Sequence, residues 1–288
     1  MEKRRKHQIL FHRILLPVLL TLLGVALFFL ISLLMASDII AADAKNGKQD
    51  VECGFCEESM KIIKEEEEAE KAAEKARKIA EARGIIYLTF DDGPGEYTNA
   101  LLDTLEKYDV KATFFVTGNG DDAVIKREFD EGHTVALHSL SHQYAHIYAS
   151  VENYFSDLAG VSDRVKNITG VESKIMRFPG GSSNLVSKRY DHKTRIMSTL
   201  TREVEARGYH YFDWNVDSDD AGKANSPEVV FNNVVSRLKD GENVVLQHDV
   251  KPYSVEAVAQ IIEYGLANNF VFDAITMETP VVHHSVNN

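Results

Sequence analysis

Thr89-Phe90-Asp91-Asp92-Gly93-Pro94 closes an apolar run that begins at Ile85. The run reads as a buried strand, and Gly-Pro as the turn that ends it. Two adjacent carboxylates at a strand end are poor core material, because burying charge without a partner is expensive. They call for a cation, a base role or water. Asp-Asp-Gly alone is equally a solvated turn, so the rest of the chain has to decide.

Outward from this stretch the texture is strand-helix alternation. Further strand candidates lie at 112–116, 134–137, 174–177, 209–213, 243–246 and 271–274. Helical patterns lie between them, at 98–107, 123–131, 151–168, 194–207, 227–239 and 255–267. Repeated βα units imply a parallel sheet. The fold class expected is α/β: a distorted (β/α) barrel of about seven parallel strands, with an open doubly wound sheet as the alternative. No glycine-rich dinucleotide fingerprint follows the first strand, which counts against a Rossmann unit.

The segment before residue 85 is of another kind. Lys3, Arg4, Arg5, Lys6 and Arg13 precede an apolar run at residues 14–36. That run is long enough to cross the ~30 Å hydrocarbon core of a bilayer as a helix. Basic before and acidic after puts the amino terminus inside and the bulk outside. Ala42-Asp43-Ala44 has the small-x-small form of a cleavage site, so secretion after signal cleavage is the alternative to a retained single-pass anchor. Cys53 and Cys56 are the only cysteines. Outside the cell they suit a small disulfide loop or an intermolecular bridge. Residues 57–83 are rich in Glu, Lys and Ala, with Glu67-Lys71 and Glu74-Lys78 in the favourable i,i+4 order. They read as a charged helical spacer ending at Gly84. The domains expected are a basic tail (1–13), an anchor (14–36), a linker and charged helix (37–84), a catalytic domain (85–279) and a tail (280–288). The net charge of -12 in 288 residues argues against a nucleic-acid partner. Oligomeric state leaves no mark in the sequence.

Parallel βα folds place their chemistry at the carboxyl ends of strands. Those ends carry Asp91 and Asp92, His138-Ser139-Leu140-Ser141-His142, Arg177, Asp213-Trp214 and Gln247-His248. Histidines four apart share a face in a turn or helix. With a strand-end carboxylate they make a three-ligand set that leaves a position open, the form of a catalytic zinc site. The spare Asp, His and Arg then suit base, acid and orienter.

In five ordered motifs the chain resembles the polysaccharide deacetylases of carbohydrate esterase family four. They are TFDDGP at 89–94, HSLSH at 138–142, RFPGG from Arg177, DW at Asp213-Trp214 and LQH at 246–248. The wording RFPGGS and DWNVDS resembles membrane-anchored peptidoglycan deacetylases of Gram-positive bacteria. The resemblance implies a divalent metal at Asp92, His138 and His142, zinc first, with Co, Ni and Mn able to use such ligands. It implies Asp91 as general base, Arg177 pairing with Asp91, and His248 as general acid with Asp213 holding its tautomer. A backbone N–H near Gly180 would meet the oxyanion, and Trp214 and Leu246 would line the acetyl pocket. Many members carry Tyr where this chain has Gly180; the N–H survives that change and a side-chain wall is lost. The activity implied is removal of N-acetyl groups from a cell-wall amino sugar, N-acetylglucosamine or N-acetylmuramic acid. The alternatives are an O-acetyl esterase such as an acetylxylan esterase, a chitooligosaccharide deacetylase, or a non-catalytic wall-binding protein. Asp217-x-Asp219-x-x-Gly222 reads as a polar rim loop, and His283-His284 as a frayed tail. Tyr144, His146 and Tyr148 suit sugar contact or local packing equally.

Overall fold

A computed structural model describes residues 54–191 and 195–288. The expected basic tail, anchor and Cys53 lie outside them, as does the Cys56 side chain. Among the described residues, no helix is long and apolar enough to cross a membrane. The chain divides into two compact units, 1–70 and 71–288. Helix α1 (Gly54–Glu81) crosses that division and is exposed along almost all its described length. Its ion pairs, such as Lys64–Glu68 at 3.9 Å and Lys78–Glu74 at 3.9 Å, are solvated and add little to stability.

Gly84 is not a helix stop, as the sequence suggested, but the first residue of strand β1 (Gly84–Asp91). A Cβ there would stand 2.2 Å from the Gly241 carbonyl oxygen, so only glycine allows the neighbouring strand this close. The elements that follow are α2 (Thr98–Lys107), β2 (Thr113–Thr117), α3 (Asp122–Asp130), β3 (Thr134–Ser139), the short α4 (Tyr144–Ile147), α5 (Val151–Thr169) and β4 (Ile175–Met176). After them come α6 (Ile196–Ala206), β5 (His210–Tyr211), β6 (Val216–Asp217), α7 (Pro227–Val235), β7 (Gly241–His248), α8 (Pro252–Ala267) and β8 (Phe270–Phe272). Helix starts follow local chemistry: Ser150 and Ser226 accept from the N–H groups of Asn153 and Val229, which satisfies orphan donors of the first turn.

All pairings in the sheet are parallel, in the order β5-β4-β3-β2-β1-β7-β6. One edge of β1 is shared, with β8 along Gly84–Ile86 and β2 along Thr89–Asp91. The other edge pairs with β7 throughout, so that Asp91 lies level with His248. The period of two along a strand sorts side chains into two cores. Ile86, Leu88, Phe90, Phe114, Val116 and Leu137 join the core that includes the helices. Tyr87, Phe115, Ala136, Ile175, Phe212 and Val244 fill a second cluster inside the curled sheet. Thr89 and Asp91 continue the inner row of Tyr87. Leu101, Leu102 and Leu105 of α2 are wholly buried, and truncation of any one to Ala costs about 2–5 kcal/mol.

The sheet is a barrel with one open seam. Its two edge strands, β5 and β6, are consecutive in the chain and are not hydrogen-bonded to each other. The single strand expected at 209–213 is therefore β5 followed by irregular backbone. In that gap Phe212 N–H still donates to Met176 O and Asn215 N–H to Val244 O, while Asp213 N–H donates to Val282 O. The carboxyl-terminal segment thus docks on the seam and is not frayed. His283 stacks on Tyr211 with ring centroids 3.7 Å apart, and Asn288 is buried.

Candidate active site

At the end of β1 the backbone turns sharply: Asp92 sits at φ 75°. Thr117 N–H donates to Gly93 O at 2.9 Å, and Thr117 Oγ1 donates to Asp92 O at 3.2 Å. His142 also has positive φ, at 50°. Such positions cost about 1–3 kcal/mol each and persist only where the surroundings impose them. At His142 the imposing group is Asp157 of α5. Its carboxylate accepts from Ser139 Oγ, Leu140 N and Ser141 N at 2.6–2.9 Å. Ser139 Oγ in turn accepts from His142 N–H at 2.9 Å.

The result is a cluster of Asp92, His138 and His142 whose ligand atoms lie within 4.8 Å of one another. Asp92 Oδ1 is buried without a hydrogen-bond partner, 3.5 Å from His138 Nε2 and 3.3 Å from His142 Nε2. His138 Nδ1 is 2.9 Å from Arg177 O. A carbonyl only accepts, so Nδ1 carries the proton and Nε2 presents its lone pair to the cluster. Burial pulls the His138 pKa down, against the charges of Asp91 and Asp92, which favours the neutral ring a ligand needs. An orphaned buried carboxylate oxygen facing two imidazole nitrogens fits a divalent cation.

Asp91 is buried beside this cluster, and Arg177 Nη1 donates to its Oδ1 at 2.7 Å. Arg177 is wholly buried and also donates to Thr89 Oγ1, Phe212 O and Asp213 O. Its guanidinium lies 4.1 Å from the Phe115 ring centroid.

His248 faces the cluster from β7, with Nε2 3.9 Å from Asp92 Oδ2. Its orienting carboxylate is Asp220, not Asp213: Asp220 Oδ1 is 2.8 Å from His248 Nδ1, and Oδ2 accepts from His248 N–H at 2.7 Å. Burial disfavours the His248 charge, but Asp220, with Asp91 and Asp92, overrides it and raises the pKa to about 9. Asp213 is instead a structural knot. Its carboxylate accepts from Ser182 N, Ser182 Oγ and His284 N at 2.5–2.8 Å. The loop at 217–222 is therefore part of the site, because it delivers Asp220.

A family model described as polysaccharide deacetylase matches residues 78–197. Over 213 residues the chain is 34% identical to a peptidoglycan-N-acetylglucosamine deacetylase of Bacillus cereus, spanning 71% of this chain and 73% of that one. The chain belongs to the polysaccharide deacetylase family. The chain is a hydrolase, and its relatives of that name act on non-peptide carbon–nitrogen bonds. The catalytic domain of peptidoglycan N-acetylglucosamine deacetylase from Eubacterium rectale has a TM-score of 0.68 at 51% identity, over 71% of this chain and 94% of that one. A family 4 carbohydrate esterase from Streptomyces lividans, solved with acetate, has a TM-score of 0.58 at 28% identity, over 71% and 100%.

The pocket walls of this deacetylase come from three places. Gly180 has φ 76°, and its N–H has no acceptor among the described residues. Trp214 is half-buried, its Nε1 donates to Asp217 Oδ2 at 3.2 Å, and its ring would stand 3.0 Å from a Cβ on Gly181. Leu246 lies on the inner face of β7, two residues from Val244, and is nearly buried. Tyr144 lies edge-on to His142, ring centroids 5.4 Å apart. Burial, then the charges of Asp92 and Asp91, push its phenol up to about 12. The sequence reading missed Asp157 and Asp220. The one signal for Asp157 was an acid on the buried face of a helix, between Tyr154, Leu158 and Val161.

Proposed function

We propose that the chain removes N-acetyl groups from peptidoglycan amino sugars, N-acetylglucosamine first, using a divalent metal ion held by Asp92, His138 and His142. Zinc suits the donor set, and Co, Ni or Mn could use it. The observation that carries the reading is the flanking of the Asp92/His138/His142 cluster by two different proton handlers, Asp91 with Arg177 and His248 with Asp220. Binding alone needs neither. The choice of sugar is supported by the names of the Bacillus cereus and Eubacterium rectale relatives.

A divalent ion in the cluster would acidify water and polarise the acetyl carbonyl. Asp91 accepts the proton of the attacking water, and Arg177 fixes the carboxylate's direction. As the carbonyl oxygen gains charge, the free N–H of Gly180 donates to it. His248 Nε2 then gives its proton to the departing nitrogen while Asp220 holds Nδ1–H. Trp214 and Leu246 enclose the methyl group. An anchor at 14–36 would hold the domain on the outer side of the cell membrane, facing the wall.

The test is acetate release from peptidoglycan, chitooligosaccharide and acetylxylan side by side, with elemental analysis of the wild type, His138→Ala and His142→Ala. Release from peptidoglycan, with metal lost from both variants, is expected. Full metal retention in both variants would sink the ligand assignment. Release from acetylxylan alone would replace the amide reading with an ester one.

A further inference from the structure

Tyr144 and Tyr148 stand one helical turn apart on α4 and its carboxyl-terminal cap, with ring centroids 5.7 Å apart. Their hydroxyl groups differ. Tyr148 is wholly buried and donates to Pro179 O at 2.7 Å, bracing the loop after β4 from behind. The Tyr144 hydroxyl has no hydrogen-bond partner among the described residues. Its position is nevertheless fixed, by the edge-on contact with His142 and by the Tyr148 ring. Its oxygen lies against Gly180: a Cβ built there would stand 2.9 Å from it. Residue 180 therefore cannot carry a side chain without displacing this phenol. Two donors without partners among the described residues, Gly180 N–H and Tyr144 O–H, thus belong to groups in direct contact, and Tyr144 also lies against His142 of the ligand set. Paired free donors beside a carboxylate base are what an acyl-transfer site presents to a developing oxyanion.

We propose that the Tyr144 hydroxyl is a catalytic residue that donates a hydrogen bond to the oxyanion formed at the acetyl carbon, beside Gly180 N–H. The proposal rests on the deacetylase reading above. As the attacking oxygen bonds to the carbonyl carbon, the C=O π pair moves onto oxygen, and the phenol donates to it while keeping its own proton. When the C–N bond breaks, that pair re-forms C=O, and nitrogen takes its proton from His248. A hydrogen bond from Tyr144 to a sugar hydroxyl is the competing use of the same group.

The test compares wild type and Tyr144→Phe, each with its metal, on an N-acetyl chitooligosaccharide and on an aryl acetate that has no sugar. Methylphosphonate, a tetrahedral anion, is titrated into both proteins by calorimetry, with metal content measured alongside. Expected is a kcat loss of roughly 10²-fold on both substrates, with KM nearly unchanged, weaker methylphosphonate binding and full metal content. Loss confined to KM for the oligosaccharide would overturn the proposal in favour of a sugar contact. An unchanged kcat on both substrates would overturn it outright. Tyr148→Phe is the folding control, and there the change expected is a lower thermal midpoint. If the wild type cleaves only the ester, the amide reading fails and the aryl acetate still decides Tyr144. If it cleaves neither, the deacetylase reading fails and the methylphosphonate titration decides.

Discussion

Asp91 and Asp220 each hold a cation at the rim of the same cluster, and they make opposite use of burial. Asp91 meets the guanidinium of Arg177, a planar cation held in place by further bonds to Thr89, Phe212 and Asp213. Asp220 meets an imidazole whose charge is conditional. Burial alone would strip the His248 proton, and the carboxylate restores it, up to about 9. The first pair fixes a direction for a base. The second poises a proton for delivery. A site that must take a proton at one edge and give one at the other needs both kinds of pair.

Removing the base is the sharpest way to break this comparison. Asp91→Asn should keep its metal and lose about 10²- to 10⁴-fold in kcat, on amide and aryl ester alike. Near-normal turnover would end the base assignment. Next comes the cation of the same pair. Arg177→Met leaves a buried carboxylate unpaired and should cost about 3–5 kcal/mol of stability, read by urea unfolding. A midpoint within error of wild type would show that the pair is not structural.

The other pair should respond in pH. His248 is charged below its raised pKa, so amide turnover should fall as pH rises through about 9. In Asp220→Asn burial prevails, and that alkaline limb should move to lower pH, with aryl acetate hydrolysis much less affected. Asp213→Asn should leave the limb in place, since its carboxylate bonds Ser182 and His284 instead. A limb that moves in Asp213→Asn and stays put in Asp220→Asn would reverse the two roles.

A third buried carboxylate, Glu128, completes the series because neither of its oxygens has a hydrogen-bond partner. Burial first, then the charge of Asp249, holds its pKa well above the usual carboxylate value. The folded state therefore binds a proton that the unfolded state releases, and stability falls as pH rises above about 4.5. Glu128→Gln should raise the thermal midpoint at pH 8, by the equivalent of about 1–3 kcal/mol, and change it little at pH 4. Equal midpoints at pH 8 would show that Glu128 has found a partner.

The same division governs what the sequence disclosed. Asp91, Asp92, His138, His142, Arg177 and His248 sit at or just beyond the ends of apolar runs, where strand period and turn residues mark them. Asp220 sits among Asp217, Asp219 and Asp220, three acids in one short loop with nothing local to rank them. The choice is made by β6, a two-residue strand whose pairing of Asp217 with Leu246 aims the loop at His248. No apolar run announces this strand, which is why seven strands were expected and the sheet has eight. The docking of His283 and His284 was hidden likewise, because their partners, Tyr211 O, Trp214 O and the Asp213 carboxylate, lie about 70 residues away.

The open seam also has a consequence in time. Translation runs from the amino end, and residues 282–284 leave the ribosome after every strand of the sheet. Until they arrive, Asp213 lacks the N–H of His284, and Ser183 lacks the ring nitrogen that meets its hydroxyl. The loop that carries Gly180 is joined to both of these residues. The newly made chain can therefore assemble its ligand and base residues first, while the oxyanion side of the pocket sets last.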